Sequence, residues 1–390
     1  MSRYERVLAE LAAAGLRRDL REIGSAQGPR IRLAGRDVLS LCSNNYLGLA
    51  NHPHVIAAVQ EAVRQWGWGA GASRLVSGHM SPHGRFEERL ARFKRTQAAL
   101  VLPSGYQANL AAIRGAAGPG DVVLLDKLDH ASIIDAALGS GAEVRVFPHR
   151  NYGKLRRLLD RSGRYRSRVI ITDTLFSMDG DLADLKELVE IKRHYEATLC
   201  IDEAHATGVF GAGGRGLAEH VGAEADVDIV VGTLSKALGG VGGFVCGRRD
   251  FIDCLVNVAR AFVYTTAVPP AVCAAAEAAL DIVEREPERR RRLLAMSDEL
   301  RSRLQADGFE VGDSASQIIP VILGEPQQAV RLSQALLERG FFVPAIRPPS
   351  VPRGTARLRV SLCSEHSPDE LRAFSEALAD ARSSIYGSGA

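Results

Sequence analysis

From about residue 100 the chain alternates short, almost wholly apolar runs with longer stretches in which apolar residues recur every three or four positions. The short runs are 122–125, 144–147, 169–172, 199–201, 229–231 and 244–246. They are rich in β-branched residues and show no polar alternation, the pattern of strands buried on both faces. Helical patterns lie between the earlier ones at 131–139, 153–161 and 182–196. A spacing of roughly 20–30 residues between strands leaves room for the right-handed crossovers that parallel strands require. The pattern predicts an α/β domain with a mostly parallel sheet.

After about residue 275 the character changes. A charged helical stretch (275–305) leads to a strand at 318–323, a helix at 327–338, a strand at 357–362 and a last helix from Pro368. This reads as a second, smaller α/β domain. At the other end, Tyr4, Val7, Leu8 and Leu11 have the spacing of an amphipathic helix. A single core seldom grows beyond about 250–300 residues, so 390 residues are divided here into an N-terminal arm (1–45), a large domain (46–275) and a small C-terminal domain (276–390). The run EREPERRRR (284–292) reads as a solvated helix face, and the tail 383–390 as frayed.

Charge narrows the function classes. The 49 Lys and Arg against 46 Asp and Glu give a net charge of +3, too balanced for a protein that grips a nucleic-acid backbone. No 18-residue apolar window occurs, so no membrane-spanning helix is expected. The first 22 residues carry acids and lack an apolar signal core, which points to the cytoplasm. Six cysteines lie scattered with no CxxC pair and no Cys/His cluster, so no zinc site is expected, and reduced thiols packed as small hydrophobes account for them. Only six of the basic residues are lysines (94, 127, 154, 186, 192 and 236). Chemistry that needs an amine nucleophile therefore has few candidates.

Two motifs invite misreading. Gly211, Gly213 and Gly216 fit GxGxxG, but a dinucleotide loop follows its strand directly, and here the strand ends near Asp202, some nine residues earlier. Asp202-Glu203-Ala204-His205 spells a helicase box, yet no GxxxxGK[ST] accompanies it. Gly67, Gly69 and Gly71 read as a loop needing positive φ or close approach. The informative stretch runs from Asp202 to Lys236. Asp202 and His205 sit just past an apolar strand, where α/β sheets place ligands. Lys236 follows the next strand in GTLSKALGG, flanked by Leu, Ala and Gly, whereas the other five lysines have polar, helix-like or turn surroundings. Desolvation exposes a nucleophilic amine, and an amine and an aspartate on adjacent strand ends suit pyridoxal 5'-phosphate (PLP): the lysine makes a Schiff base and the aspartate keeps the pyridine nitrogen protonated. The other reading of the two residues is a buried structural ion pair. PSGYQAN (103–109) opens a helix whose first amides suit a phosphate, or Ser104 is a plain N-cap. His130 starts a helix where it can stack on a cofactor ring or bond locally, and Ser177 is another strand-end hydroxyl.

These residues, in this order, resemble the α-oxoamine synthase family of fold-type I PLP enzymes. The similarity extends over nearly the whole chain through SNNYLGL (43–49), GASRLVSG (71–78), PSGYQAN, DHASI, TLFSMDGD, DEAHATG and GTLSKALGG to the region of Arg347. The resemblance implies a fold-type I transferase with a mostly parallel central sheet, an N-terminal arm and a smaller C-terminal α/β domain. It makes Lys236 the Schiff-base lysine, Asp202 the partner of the pyridinium nitrogen, and His205 and Ser177 hydrogen-bonders of the ring hydroxyl. His130 stacks on the ring, Gly105, Tyr106 and Thr233 surround the phosphate, and Thr265 and Thr266 reach the phosphate of a second subunit in a homodimer. The family condenses an amino acid with an acyl thioester, with loss of CO2. Its substrate-contacting positions match Arg347, as a bidentate clamp on the amino-acid carboxylate, together with Ser350 and Arg18, with Arg17 and Arg21 close to the last. Asp173 stands where some members have Glu. The run 342–359 is most similar to the branch that joins L-alanine to a pimeloyl thioester. The branch using glycine and acetyl-CoA is the alternative within the family, and a PLP aminotransferase the alternative outside it.

Overall fold

All six apolar runs form strands in the computed structural model, which describes residues 1–13 and 16–386. They join a seventh, Ala98–Leu102, in one sheet. Across it the order is Ala98–Leu102, Gly243–Gly247, Ile229–Thr233, Thr198–Asp202, Arg168–Asp173, Val122–Asp126 and Glu143–Phe147. The last five of these pair in parallel, and Gly243–Gly247 runs against both its neighbours. Ala98–Leu102 escaped the pattern reading because AALVL suits a helix as well as a strand, and only pairing with Gly243–Gly247 decides it. The strands are buried along nearly their whole length except at the edge, Glu143–Phe147.

The chain divides into two compact units, Asn44–Leu294, which holds this sheet, and Met1–Ser43 with Ala295–Ala390. In the larger unit the helix Gly105–Ala116 turns Ala108, Ala111, Ala112 and Ile113 into a core with Leu100, Leu102, Val123, Leu125, Ile133, Val169, Ile171, Val231 and Val245. Small alanines let this helix lie close on the strands, and burial of such a cluster is the main favourable term in folding. Helix starts follow local chemistry: Ser104 accepts from Gln107 N at 3.1 Å and Asp184 from Glu187 N at 3.1 Å. Leu185–Tyr195 then ends on Lys192, Arg193 and His194, which suits the negative end of its dipole.

The charged stretch after residue 275 is not one helix. Pro270–Arg285 stops at Glu286 and Pro287–Ala306 begins anew, because Pro287 has no N–H to continue the ladder. Nor is 284–292 simply a solvated face. Arg290 is buried, donating through Nε to Gly211 O (3.1 Å), through Nη1 to Val283 O (2.7 Å) and through Nη2 to Ala212 O. The loop 211–216 thus presents two carbonyls, Gly211 O and Ala212 O, to Arg290, and two amides, Gly213 N and Arg215 N, that donate to Glu219. Side chains at Gly211 and Gly216 would strike Glu219 and Glu203. Carboxylates fill the space that a nucleotide phosphate would need.

The other unit holds two three-stranded sheets. Arg30–Leu33 and Arg36–Ser40 form a hairpin joined by Phe341–Phe342, and Ile318–Gly324, Ala356–Ser361 and Ala345–Ile346 form the second sheet. His366 links the two ends of the chain within this unit: its Nδ1 accepts from Cys363 N and its Nε2 donates to Ser40 O at 3.0 Å. Burial keeps the ring neutral, with its titration lowered to about 4. The amphipathic helix Arg3–Ala13 forms as its spacing predicts, with none of its residues buried. The last helix, Pro368–Tyr386, takes in the first half of the tail expected to fray, and residues 387–390 lie outside the described residues. No helix among the described residues is long and apolar enough to cross a membrane.

Candidate active site

Three adjacent parallel strands end in aspartate: Val122–Asp126, Arg168–Asp173 and Thr198–Asp202. Parallel strands point their carboxyl ends the same way, so the sheet brings these groups, and the loops that follow, to one edge. Lys236 lies three residues past the next strand, Ile229–Thr233, which pairs with Thr198–Asp202. It is half-buried, and its Nζ is 2.7 Å from His205 Nε2. The other ring nitrogen, Nδ1, is 2.7 Å from the hydroxyl of Tyr46, a residue with no solvent exposure.

Asp202 is buried and held on both oxygens. Oδ1 accepts from Ala204 N (2.7 Å) and Oδ2 from Asn109 Nδ2 (2.7 Å). The same amide nitrogen donates to Ser132 Oγ (2.9 Å), which lies 2.7 Å from His130 Nδ1. One asparagine on the core face of Gly105–Ala116 therefore ties Asp202 to His130. His130 caps the helix Ala131–Leu138, accepting from Ser132 N at Nδ1, so its ring proton in the neutral form is on Nε2. Loss of water around the ring pushes its titration below 6.5; Asp202 pulls the other way and Lys236 adds to the lowering. Its backbone N–H donates to Asp173 Oδ2 (2.7 Å), and Asp173 N donates to Asp129 Oδ1 (2.9 Å). Burial, and then the charge of Asp202, pushes the Asp173 carboxyl well above the usual range. Burial, and then Asp173, does the same to Asp129. These two acids support the start of the His130 helix, and Asp173, one methylene shorter than Glu, makes its contact from a side-chain oxygen to the His130 backbone N–H.

The helix start at Gly105 packs on the loop that carries Lys236. A side chain at Gly105 would lie 3.3 Å from Thr233 Cβ, and one at Gly243 would lie 2.5 Å from Ser104 O. At Gly243 only glycine permits this approach, and at Gly105 a side chain would crowd Thr233. The Thr233 hydroxyl donates to Gly242 O (2.8 Å) and lies 2.7 Å from Ser235 Oγ, so it closes the GTLSKALGG loop. Tyr106 donates to Asp135 Oδ2. Ser177 is half-buried in the turn that the Leu175–Leu182 bridge closes. Thr265 and Thr266 lie in an exposed segment that bridges to Ser73.

The larger unit thus gathers Lys236, His205, Asp202, His130, Gly105 and Thr233. Arg18, Arg347 and Ser350 belong to the other unit, where they line one cavity of about 810 Å3 together with Arg17 and Arg21. Arg18 Nη2 donates to Ser350 Oγ at 3.1 Å. Residue-by-residue reading missed Tyr46, Asn109 and Ser132. Each had a signal: a polar group inside an apolar motif or on the apolar face of a helix has to be satisfied by something. Lys94, at the end of the helix Ser81–Phe93, is buried among polar partners, a burial its local surroundings do not show.

A lysine with an imidazole on its amine, a buried carboxylate on the next strand and a glycine-bound helix start make the site of a fold-type I, PLP-dependent enzyme. The donor set fits that cofactor: an amine for its aldehyde, a carboxylate for its ring nitrogen and helix-start amides for its phosphate. The aminotransferase class I and II profile matches residues 36–378. The chain belongs to that family and, within it, to the α-oxoamine synthases. It is 49% identical to the 8-amino-7-oxononanoate synthase of Geobacter sulfurreducens, covering 95% of this chain and 96% of that one. It is 45% identical to the enzyme of the same name from Pseudomonas putida, covering 96% and 95%. Among solved structures, the serine palmitoyltransferase of Sphingomonas wittichii superposes with a TM-score of 0.94 at 36% identity, covering 98% of each chain. A structure of SPT with its PLP internal aldimine gives 0.93 at 34% identity, again covering 98% of each. The 8-amino-7-oxononanoate synthase of Francisella tularensis gives 0.77 at 29% identity, covering 90% of this chain and 99% of that one.

Proposed function

We infer that the chain catalyses the PLP-dependent condensation of L-alanine with a pimeloyl thioester, releasing CO2 and the thiol and giving 8-amino-7-oxononanoate for biotin synthesis. The observation that carries this reading is Lys236 held on His205 at the end of one strand, with Asp202 at the end of the next, in a chain 45–49% identical to synthases of that product.

Bound PLP supplies an aldehyde for an amine and a ring that accepts the electron pair left at the amino acid's α-carbon. Lys236 would hold the cofactor through its amine and, with that amine free, would take the α-proton of L-alanine on Nζ. Asp202, held in place by Asn109 and Ala204 N, would hold a proton on the pyridine nitrogen. His130, with its ring proton on Nε2, would lie against the ring and offer a donor to a carboxylate or an acyl oxygen. His205 and Ser177 serve the ring hydroxyl, and Gly105, Tyr106 and Thr233 the phosphate. Arg347 binds the L-alanine carboxylate through its planar fork, with Ser350 and Arg18 beside it. The enzyme works as a cytoplasmic homodimer in which Thr265 and Thr266 complete the partner's phosphate site. Support for the dimer comes from an exposed apolar patch: Leu75, Val76 and Tyr264 are 53%, 80% and 72% exposed on two segments joined by the Ser73–Thr266 bridge.

The test is thiol release by PLP-loaded protein from crossed pairs, L-alanine or glycine with pimeloyl-CoA or acetyl-CoA. Fastest release is expected with L-alanine and pimeloyl-CoA, and none with Lys236→Ala. Preference for glycine and acetyl-CoA would overturn the substrate assignment and keep the chemistry. Amino-group transfer to a keto acid without thiol release would overturn both.

A further inference from the structure

We propose that Asn109 and Ser132 are positioning residues that insulate Asp202 from His130: each end receives a donated hydrogen bond, so no proton passes between them and His130 offers the site only its Nε2 proton. The contacts run unbroken through the larger unit. Asn109 Nδ2 lies 2.7 Å from Asp202 Oδ2 and 2.9 Å from Ser132 Oγ, and Ser132 Oγ lies 2.7 Å from His130 Nδ1. The direction of each bond follows from the two ends. At one, the backbone N–H of Ser132 meets His130 Nδ1 at 3.2 Å. A backbone amide can only donate, so Nδ1 presents its lone pair, and the Ser132 hydroxyl on the same nitrogen donates as well. With its single proton committed, Ser132 Oγ turns to Asn109 as an acceptor. At the other end a carboxylate oxygen accepts, and one amide nitrogen with two protons serves both. The reverse orientation of the amide would set Asn109 Oδ1 against the oxygen of Asp202. The orientation adopted leaves Oδ1 with no hydrogen bond among the described residues, although Asn109 is buried. An unmade bond is unfavourable in such a place, so the two contacts of Nδ2 are what hold the amide.

A proton wire needs donors that all point one way. Here both bonds diverge from an amide nitrogen, which takes up no further proton. Asp202 and His130 are joined mechanically and separated for protons. Burial lowers the titration of His130, Asp202 and Asp135 raise it, and Lys236 lowers it, while Asp173 meets the residue at its backbone N–H. The two donors on Nδ1 add to the lowering, because they bond only the unprotonated nitrogen. The proton that Asp202 attracts is thereby left to the cofactor's ring nitrogen, and His130 works as a neutral donor through Nε2.

The consequence for the cofactor rests on the proposed function and the hydrogen-bond geometry does not, so the experiment reads them separately. Nitrogen NMR of the full-length protein labelled at histidine, without and with PLP and assigned with His130→Gln, follows the proton on each ring nitrogen across pH. The expected wild-type result is a lone pair on Nδ1 and a proton on Nε2 at pH 7, with half-protonation of the ring below pH 6.5. Ser132→Ala removes the closer donor to Nδ1 and is expected to strengthen proton binding by His130 about fivefold, the equivalent of one hydrogen bond. PLP labelled at its ring nitrogen reads the other end. In Asn109→Leu, which takes one donor from Asp202, its signal is expected to move toward the unprotonated position, since the carboxylate then competes better for the proton. A wild-type His130 protonated on Nδ1, an unchanged titration in Ser132→Ala, or an unmoved ring-nitrogen signal in Asn109→Leu overturns the junction. Failure of the wild type to take up PLP would count against the proposed function and leave the histidine result standing.

Discussion

Lys94 and Glu203 have side-chain exposures of 2% and 1%, with Nζ 3.0 Å from Oε2. Nζ also donates to Thr207 Oγ1 (2.8 Å) and to Arg215 O, while Glu203 Oε1 accepts from Ala218 N (2.8 Å). Glu203 follows Asp202 directly, so the pair anchors the turn that carries Asp202 and His205. Breaking a buried pair strands one charge away from water, at a cost of about 3–5 kcal/mol. Lys94→Met should therefore lower the urea midpoint by a corresponding amount and weaken PLP retention, and Lys94→Met with Glu203→Leu should recover part of the stability. A double variant no more stable than Lys94→Met alone would show that no lone charge was responsible. Sequence patterning gave this lysine no mark, because Lys94 sits at the end of a charged helix, Ser81–Phe93, and its burial depends on residues more than 100 positions away.

Among the elements, the start of the helix Gly105–Ala116 has the narrowest tolerance. It is set by Ser104 as cap, by the strand Ala98–Leu102 before it, and by contact with Gly243 and Thr233. A methyl group at Gly243 would lie 2.5 Å from Ser104 O and 2.6 Å from Gly105 Cα, both backbone atoms. Something has to shift, and overpacking of this kind costs about 1–3 kcal/mol. Gly243→Ala is expected to lower Tm and to raise the PLP concentration needed for half-saturation, because the displaced amides are those assigned to the phosphate. An unchanged cofactor affinity together with a lowered Tm would separate the helix start from cofactor binding. The motif GTLSKALGGVGG made the glycines conspicuous, but not which of them touch another element. Gly243 does so because Gly243–Gly247 is antiparallel to Ala98–Leu102 and brings the two ends side by side.

Over the whole molecule, stability should depend on pH through His149. Its Nδ1 is 3.0 Å from Asp126 Oδ1 and its Nε2 2.7 Å from Asp181 Oδ2, so it joins a strand end to the loop after 177. Burial opposes charge on the ring, yet the bonds to the two carboxylates outweigh it and raise the titration from 6.5 to about 9. A folded value above the unfolded one means that this stabilisation is complete below pH 6.5 and is lost as pH rises to about 9. The denaturation midpoint should fall across that window in the wild type and fall less in His149→Gln; parallel curves would remove His149 as the cause. What the sequence determined by itself is the local part of this enzyme. Apolar runs became strands, caps and prolines set helix ends, and the ordered motifs named Lys236, Asp202, His205 and His130, since each of these signals is written within a few neighbouring positions. Only the tertiary structure decided what faces what. It put Tyr46 on His205 across 159 residues, Asn109 on Asp202 across 93 and Arg290 on the loop 211–216 across more than 70. Such pairings follow from strand order and packing, and a buried polar group records in the sequence that it needs a partner without recording which one.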